Sequence, residues 1–172
     1  PRRSEIGIDK APRGGKQLPV EAAKLLLRAP VRFTLAGPSR VVLEKLRLPE
    51  NCRYVGAVPR IHAHTLYTQH DVFLLPTLSD GFAITQIEAL AYGLPVISTS
   101  CCGDVVLDGK CGFVVPPREA RSIAEAILRF VEDRYLLPKM SIEARSRAKD
   151  FSPERISDRW LAVVGVNTVN AR

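Results

Sequence analysis

The segment DVFLLPTLSDGFAITQIEALAYGLPV, residues 71–96, contains a strand, a loop, a helix and a turn, followed by the start of a second strand. Its apolar run VFLL, residues 72–75, is closed by a proline, which is typical of a strand buried on both faces of a parallel sheet. A helix is expected to begin near Phe82 or Ala83 and to end at Gly93, since glycine commonly follows the last helical residue. This order of elements predicts an α/β fold.

The polar loop of residues 77–81 follows the strand at its carboxyl end, where open α/β sheets bind their ligands. The next helix points its unpaired N–H groups and its positive dipole end into the same crevice, so the expected ligand is anionic. Two acids, Asp80 and Glu88, flank the start of that helix. Because a carboxylate accepts hydrogen bonds from hydroxyl groups, they favour a ligand that carries sugars as well as a diphosphate.

The string SDGFAITQIEALAYGLPVI resembles the nucleotide-sugar signature of retaining glycosyltransferases with the GT-B fold, a family called glycosyltransferase group 1. That signature places two glutamates, separated by seven residues, in a Ser-Glu-Gly-Phe-Gly…Glu-Ala-Met-Ala-x-Gly-x-Pro-Val pattern. Here Asp80 replaces the first glutamate, Glu88 is the second, Ala83 stands for the usual glycine and Leu90 for the usual methionine. The resemblance implies that Asp80 and Glu88 form the catalytic site, with Asp80 on donor-sugar hydroxyls and Glu88 on the ribose.

The remaining chain alternates strands and helices in the same way, and the resemblance covers about residues 5–165. Strands are expected at 5–9, 31–37, 53–55, 72–75, 96–98 and 111–115. Further helices are expected at 20–28, 40–46, 59–69, 118–133, 135–149 and 152–163. In the third of these helices Ile61, Leu66 and Tyr67 are expected to face inward, and Ser152 begins the last one as part of a capping box.

We therefore expect a Rossmann-like, doubly wound parallel sheet of about six strands, corresponding to the C-terminal half of a GT-B fold. The whole chain is predicted to be a single donor-binding domain. Its core is placed at residues 5–117 and its C-terminal helices at 118–165, with a frayed tail at 166–172.

Two further segments resemble parts of the donor site. Arg13, Gly14 and Lys16 lie in a basic, glycine-rich loop that resembles the diphosphate-gripping segment of the family, although such loops are also common on plain surfaces. Ala57 and Val58 resemble the segment that lines the base pocket, and an ordinary strand exit explains them equally well. The other positions assigned to the nucleotide lie in the signature itself: Gly81, Phe82, Ala83 and Ile84.

The loop of residues 99–104, TSCCGD, stands where the family has two glycines and a glutamate, and it is about two residues shorter. In the family this loop touches the donor sugar. The short loop and the change at Asp80 leave the donor sugar undefined.

The resemblance implies a hexosyl transfer from a nucleoside diphosphate sugar to an acceptor hydroxyl, with retention of configuration and without a metal cofactor. The helix that starts near Phe82, with Arg13 or Lys16, would stabilise the departing diphosphate. The N-terminal acceptor domain of such enzymes is missing from this sequence, so it is the expected partner and the isolated fragment is expected to be inactive. A non-catalytic nucleotide or nucleotide-sugar binding module is the alternative; an oxidoreductase is disfavoured because no G-x-G-x-x-G opens a helix after the first strand.

The net charge of +7 is compatible with nucleic acid, an anionic membrane surface or a phosphorylated ligand. Nucleic acid is disfavoured, because the basic residues are dispersed and only 6% of residues are aromatic. No secretory signal and no run of eighteen apolar residues is present, which favours a cytoplasmic protein, with a peripheral membrane contact as an option.

The cysteine and histidine spacing favours reduced thiols over a metal site. The chain has four cysteines, Cys52, Cys101, Cys102 and Cys111.

Overall fold

The computed structural model describes residues 4–8, 17–38 and 47–163. Within these residues six strands form one sheet. They are β1 (Ser4–Ile8), β2 (Val31–Ala36), β3 (Cys52–Gly56), β4 (Val72–Leu75), β5 (Val96–Thr99) and β6 (Gly112–Val115). Every pairing is parallel, and the order across the sheet is β3-β2-β1-β4-β5-β6. The six predicted strands and the parallel sheet are confirmed, with each boundary within one residue of the prediction.

The strand order reverses at the centre of the sheet. From β1 the chain moves outward through β2 to β3, then crosses back to place β4 on the other side of β1. Ile6 pairs with Val72 across this junction. At such a reversal the connections leave in opposite directions, which opens a crevice above the carboxyl ends of the two central strands.

Helices cover both faces of this sheet. They are α1 (Gln17–Leu25), α2 (Ala63–Gln69), α3 (Ile84–Ala91), α4 (Ala120–Glu132), α5 (Leu136–Lys149) and α6 (Pro153–Val163). The predicted helix at residues 40–46 and the predicted tail at 166–172 fall on residues 39–46 and 164–172, outside the described residues.

The two faces of the sheet have separate cores, and β4 contributes to both because its side chains alternate. Val72 and Leu74 belong to the apolar cluster formed with α1 and α4. Phe73 and Leu75 belong to the cluster on the other face, which includes Leu90 of α3. A continuous apolar run is therefore required in this strand, since neither of its faces meets water.

The end of α3 follows the prediction, and its start is slightly later. The helix begins at Ile84, one or two residues after the predicted start. Gly93 has a φ of +79°, the left-handed conformation expected of the residue that stops a helix. A Cβ at this glycine would lie 2.6 Å from Nε of Arg145, so a side chain here would also displace the Arg145 guanidinium.

Two predictions about the first half of the chain are wrong in detail. Helix α1 spans residues 17–25 instead of 20–28, and it ends before Leu27, which is 43% exposed. The segment before α2 is a short 3-10 helix, Arg60–His62, whose three-residue turn rotates Ile61 outward to 76% exposure. Tyr67, one of the three residues expected to face inward here, is buried.

Helices α4 and α5 bury apolar side chains in the core. Met140 and Ala144 of α5 are buried, and Ile123 and Phe130 of α4 pack against the sheet. The hydroxyl of Ser152 accepts a hydrogen bond from the N–H of Arg155 at 3.3 Å, which confirms it as the cap of α6. None of the helices among the described residues combines the length and the apolarity needed to cross a membrane.

Candidate functional site

A cavity of about 440 Å³ opens between strands β1 and β2, the helix α2 and the start of α3. Four of the residues that the sequence assigned to nucleotide binding line it: Ala57, Val58, Ile84 and Glu88. The first two lie in the loop after β3 and the others on α3, so the crossover connection brings together residues about thirty positions apart. The volume is within the usual range for a small-ligand site.

The carboxylate of Glu88 is held in place from α2. Its Oε2 accepts a hydrogen bond from the hydroxyl of Tyr67 at 2.9 Å, and its Oε1 lies 3.5 Å from Nη2 of Arg60. The Tyr67 ring is itself held by Tyr92, which stacks on it at 5.3 Å, and by the edge of Phe73. A half-buried carboxylate oriented in this way keeps acceptor capacity for hydroxyl groups of a ligand in the cavity.

Asp80 lies in a different part of the carboxyl edge, in the loop between β4 and α3. Its Oδ1 accepts a hydrogen bond from the N–H of Phe82 at 3.2 Å, which closes a turn two residues long. The residue that caps α3 is Ala83, which offers no side-chain acceptor. Asp80 therefore does not cap the helix, and the first N–H groups of α3 receive no side-chain cap.

Gly81, Phe82 and Ala83 do not line the cavity, in contrast to Ile84. Ala83 is buried under the loop, while Phe82 is 48% exposed and packs its ring against Phe151 at 5.8 Å. The structure thus separates the predicted nucleotide-binding residues into a cavity group and a loop group. Arg13, Gly14 and Lys16 lie outside the described residues.

The loop after β5 packs on the loop that carries Asp80. The N–H of Asp80 donates to the carbonyl of Cys101 at 3.2 Å, and the hydroxyl of Thr99 donates to the carbonyl of Thr77 at 2.5 Å.

The four cysteines form no disulfide with one another. Burial raises the pKa of the Cys52 thiol to about 12 and also raises the pKa of the Cys111 thiol.

The cavity is also lined by residues that the sequence did not identify as ligand contacts, among them Arg60, Tyr67 and His70. His70 is buried, and its Nδ1 lies 2.5 Å from the carbonyl of Leu66. Because a carbonyl only accepts, Nδ1 carries the hydrogen and Nε2 is an acceptor; Nε2 has no hydrogen-bond partner among the described residues. The sequence offers no spacing signal for these three positions, because their side chains reach the cavity only through the packing of α2.

A doubly wound parallel sheet with a cavity and two acids at the carboxyl ends of its strands places the chain in the class of Rossmann-like α/β domains that bind ligands at that edge. The sequence profile described as "Glycosyl transferases group 1" matches residues 8–133. The match covers more than half of the chain, which therefore belongs to the glycosyl transferases group 1 family and is a C-terminal domain of the GT-B type.

Individual relatives agree with this assignment. WcaL of Salmonella typhimurium, named as a colanic acid biosynthesis glycosyltransferase, is 30% identical in an alignment 166 positions long that covers 86% of this chain and 41% of WcaL. This chain thus spans less than half the length of that curated relative. The crystal structure of Anabaena HepE with UDP and glucose shares the fold, with a TM-score of 0.78 and 19% identity over 96% of this chain and 49% of HepE.

A second solved structure has nearly the same extent as this chain. It is the C-terminal domain of LpcC, a glycosyl transferase group 1 family protein from Francisella tularensis. The two share a TM-score of 0.75 and 20% identity over 88% of this chain and 87% of that domain. At this identity the likeness establishes the fold alone.

Proposed function

We propose that the chain is the nucleotide-sugar donor-binding domain of an enzyme that transfers a hexosyl unit to an acceptor hydroxyl with retention of configuration. The observation that carries the proposal is the cavity that gathers Ala57, Val58, Ile84 and Glu88 at the carboxyl edge of the sheet. This is the edge at which α/β sheets bind nucleotides. Related structures support the ligand class, since HepE was solved with UDP and glucose and with UDP-glucose.

Within this cavity the base lies against Ala57 and Val58, and the ribose hydroxyls donate to Glu88. The carboxylate suits this role because Tyr67 and Arg60 fix its direction before the ligand arrives. A preoriented acceptor loses less conformational entropy when the ligand binds than a mobile side chain does.

The diphosphate in this proposal lies at the start of α3. The first N–H groups of that helix lack a side-chain cap, and the helix dipole places partial positive charge there. Arg13 and Lys16 are proposed to add full positive charges. Together these groups stabilise the negative charge that develops on the leaving nucleoside diphosphate, so we propose that the reaction needs no metal ion.

Asp80 is proposed to hold hydroxyl groups of the donor sugar. Its Oδ1 is engaged by the Phe82 N–H, while its Oδ2 has no hydrogen-bond partner among the described residues. The acceptor then attacks the face of the sugar that the diphosphate leaves, and the departing phosphate oxygen helps to remove the proton of the acceptor hydroxyl. This route gives retention without a pair of acid and base carboxylates.

An N-terminal domain of the same enzyme is proposed to bind the acceptor and to form the second wall of the active site. Without that wall the donor stays exposed to water, and transfer by the 172-residue chain alone is not expected. Donor binding, in contrast, uses residues that this chain contains.

A thermal-shift panel followed by calorimetry tests the proposal on the 172-residue chain. The panel contains UDP, GDP and ADP with their glucose or mannose derivatives, and AMP as a ligand without a diphosphate. We expect one nucleoside diphosphate and its sugar to raise the melting temperature by a saturable amount. Absence of binding by every nucleoside diphosphate and nucleotide sugar in the panel would show that the cavity is not a donor site.

A further inference from the structure

Two loops at the carboxyl edge of the sheet are joined by hydrogen bonds and by a backbone contact. We name them the Asp80 loop, residues 76–83, and the second loop, residues 100–111. The N–H of Asp80 donates to the carbonyl of Cys101, and Nε2 of Gln86, just after the Asp80 loop, donates to Sγ of Cys102 at 3.2 Å. Movement of the second loop therefore moves Asp80.

The loops are also in direct backbone contact. A Cβ added to Gly103 would lie 2.7 Å from the carbonyl oxygen of Gly81, closer than real contacts of this kind. The second loop can approach the Asp80 loop to this distance only because residue 103 has no side chain. At this contact the second loop supports the turn that carries Asp80.

Arg147, near the end of α5, binds the second loop through hydrogen bonds. Its Nε donates to the carbonyl of Val105 at 2.8 Å, and its Nη2 donates to the carbonyl of Asp104 at 2.6 Å. Its Nη1 lies 3.1 Å from Oδ2 of Asp150, which neutralises the charge. The Arg147 side chain is only 17% exposed, so its loss is not readily replaced by water.

The same end of α5 contacts the Asp80 loop itself. The guanidinium of Arg147 lies 4.7 Å from the ring centroid of Phe151, and that ring packs against Phe82. Arg147 thus contacts one loop through hydrogen bonds and is linked to the other through two aromatic rings. Both loops share a support that lies outside the cavity.

We propose that Arg147 is a positioning residue for the donor sugar. It holds the second loop against the Asp80 loop and so fixes Asp80 in the direction of the sugar; this inference rests on the proposed role of Asp80 as a donor contact. A guanidinium suits the task because its rigid fork meets two successive carbonyls and a carboxylate at once, which the single nitrogen of lysine cannot do.

This role differs from a general contribution to stability. Glu88, Ala57 and Val58 line the cavity, whereas Arg147 does not. Loss of the Arg147 hydrogen bonds is therefore expected to weaken contacts with the sugar and to leave contacts with the nucleotide unchanged. A purely structural role would affect both or neither.

The test compares Arg147→Lys with Arg129→Lys in the 172-residue chain. Arg129 is a matched control, because its guanidinium also lies over a phenylalanine ring, that of Phe113, at 4.0 Å, but on the opposite face of the sheet. Calorimetry measures the affinity for UDP and for UDP-glucose, with GDP and GDP-mannose in parallel. Hydrogen exchange measured by mass spectrometry follows the peptide containing residues 77–83.

For Arg147→Lys we expect an unchanged affinity for the nucleoside diphosphate and a loss of about fivefold or more for the matching nucleotide sugar, the lower end of typical coupling between sites. The Asp80 N–H should exchange faster, because its acceptor, the Cys101 carbonyl, is no longer held. Arg129→Lys should change neither quantity. Should Arg147→Lys not fold, Asp150→Ala, which removes only the carboxylate partner of Arg147, should shift both quantities in the same direction by less.

Equal losses for nucleotide and nucleotide sugar, or unchanged exchange at residues 77–83, overturn the positioning role while leaving the proposed function in place. If the unaltered chain binds none of the nucleoside diphosphates and nucleotide sugars of the thermal-shift panel, the proposed function fails, and the inference fails with it.

Discussion

Replacement of Glu88 by glutamine tests the central contact of the proposed site with little change in shape. The substitution keeps an oxygen that accepts from Tyr67 and removes the negative charge that faces Arg60 and the cavity. A ligand hydroxyl then donates to a neutral amide in place of a carboxylate. Hydrogen bonds to charged groups contribute about 1.5–3 kcal/mol and neutral ones about 0.5–1.5 kcal/mol, so the loss is about 1–1.5 kcal/mol and the dissociation constant should rise by about 5- to 12-fold.

The effect on folding should be modest. Arg60 is 87% exposed, and an ion pair at such a site contributes about 0–1 kcal/mol. The bond from Tyr67 persists as a neutral hydrogen bond, at a loss of about 1 kcal/mol. The free energy of unfolding should therefore fall by at most about 2 kcal/mol, which leaves the chain folded for the binding measurement.

The measurement is calorimetric titration with the nucleotide selected by the panel, beside urea unfolding of the same protein. Glu125→Gln is the control, because Glu125 is an exposed acid on α4, far from the cavity, and it should leave the dissociation constant unchanged. An unchanged dissociation constant for Glu88→Gln together with a large loss of stability would refute the reasoning. Glu88 would then serve to join α2 to α3 and would not bind ligand.

Three further predictions concern other parts of the fold. Gly103→Ala should lower the free energy of unfolding by about 1–3 kcal/mol, because its Cβ would clash with the Gly81 carbonyl, whereas Gly81→Ala, which has open space at its Cβ, should change it little; urea unfolding compares the two. The folded state raises the pKa of Cys52 from 9.0 to about 12, so its contribution is complete below pH 9 and declines as the pH rises toward 12. Urea unfolding at pH 7.5 and pH 10 should therefore show a larger loss for the natural chain than for Cys52→Val, and equal losses would contradict this assignment. In the full-length enzyme, Asp80→Glu should raise the rate of sugar transfer, since the longer side chain reaches further toward the same hydroxyls; an unchanged rate with lower stability would mean that Asp80 only closes its turn.

Much of the fold follows from local sequence patterns. The run at residues 72–75 is apolar throughout, since β4 lies between two layers of helices and both of its faces are buried. Gly93 marks the end of α3 because only a residue without a side chain adopts its backbone conformation cheaply, and it does so beside Arg145. Such signals depend on a few consecutive residues, so they can be read without knowledge of the rest of the chain.

The errors arose where tertiary context determines the orientation of a side chain. Ile61 was placed on the inward face of a continuous helix, but the 3-10 turn before α2 directs it to solvent. Asp80 likewise precedes α3 closely, but the helix starts at Ile84 and the carboxylate closes the preceding turn instead of capping the helix. Residue spacing alone does not specify where a helix begins to within one or two residues, and that small difference changes which groups meet.

The sequence by itself determined the α/β class, the six strands and the family, because hydrophobic periodicity and the signature around Glu88 are properties of neighbouring residues. Only the tertiary structure decided how the site is assembled: Tyr67 meets Glu88 across 21 residues, and Arg147 meets Val105 across 42. The physical reason is that these contacts depend on how helices pack on the sheet, which is set by the sum of many buried contacts. No local pattern encodes that sum, so the acid could be recognised in the sequence, whereas the groups that orient it could not.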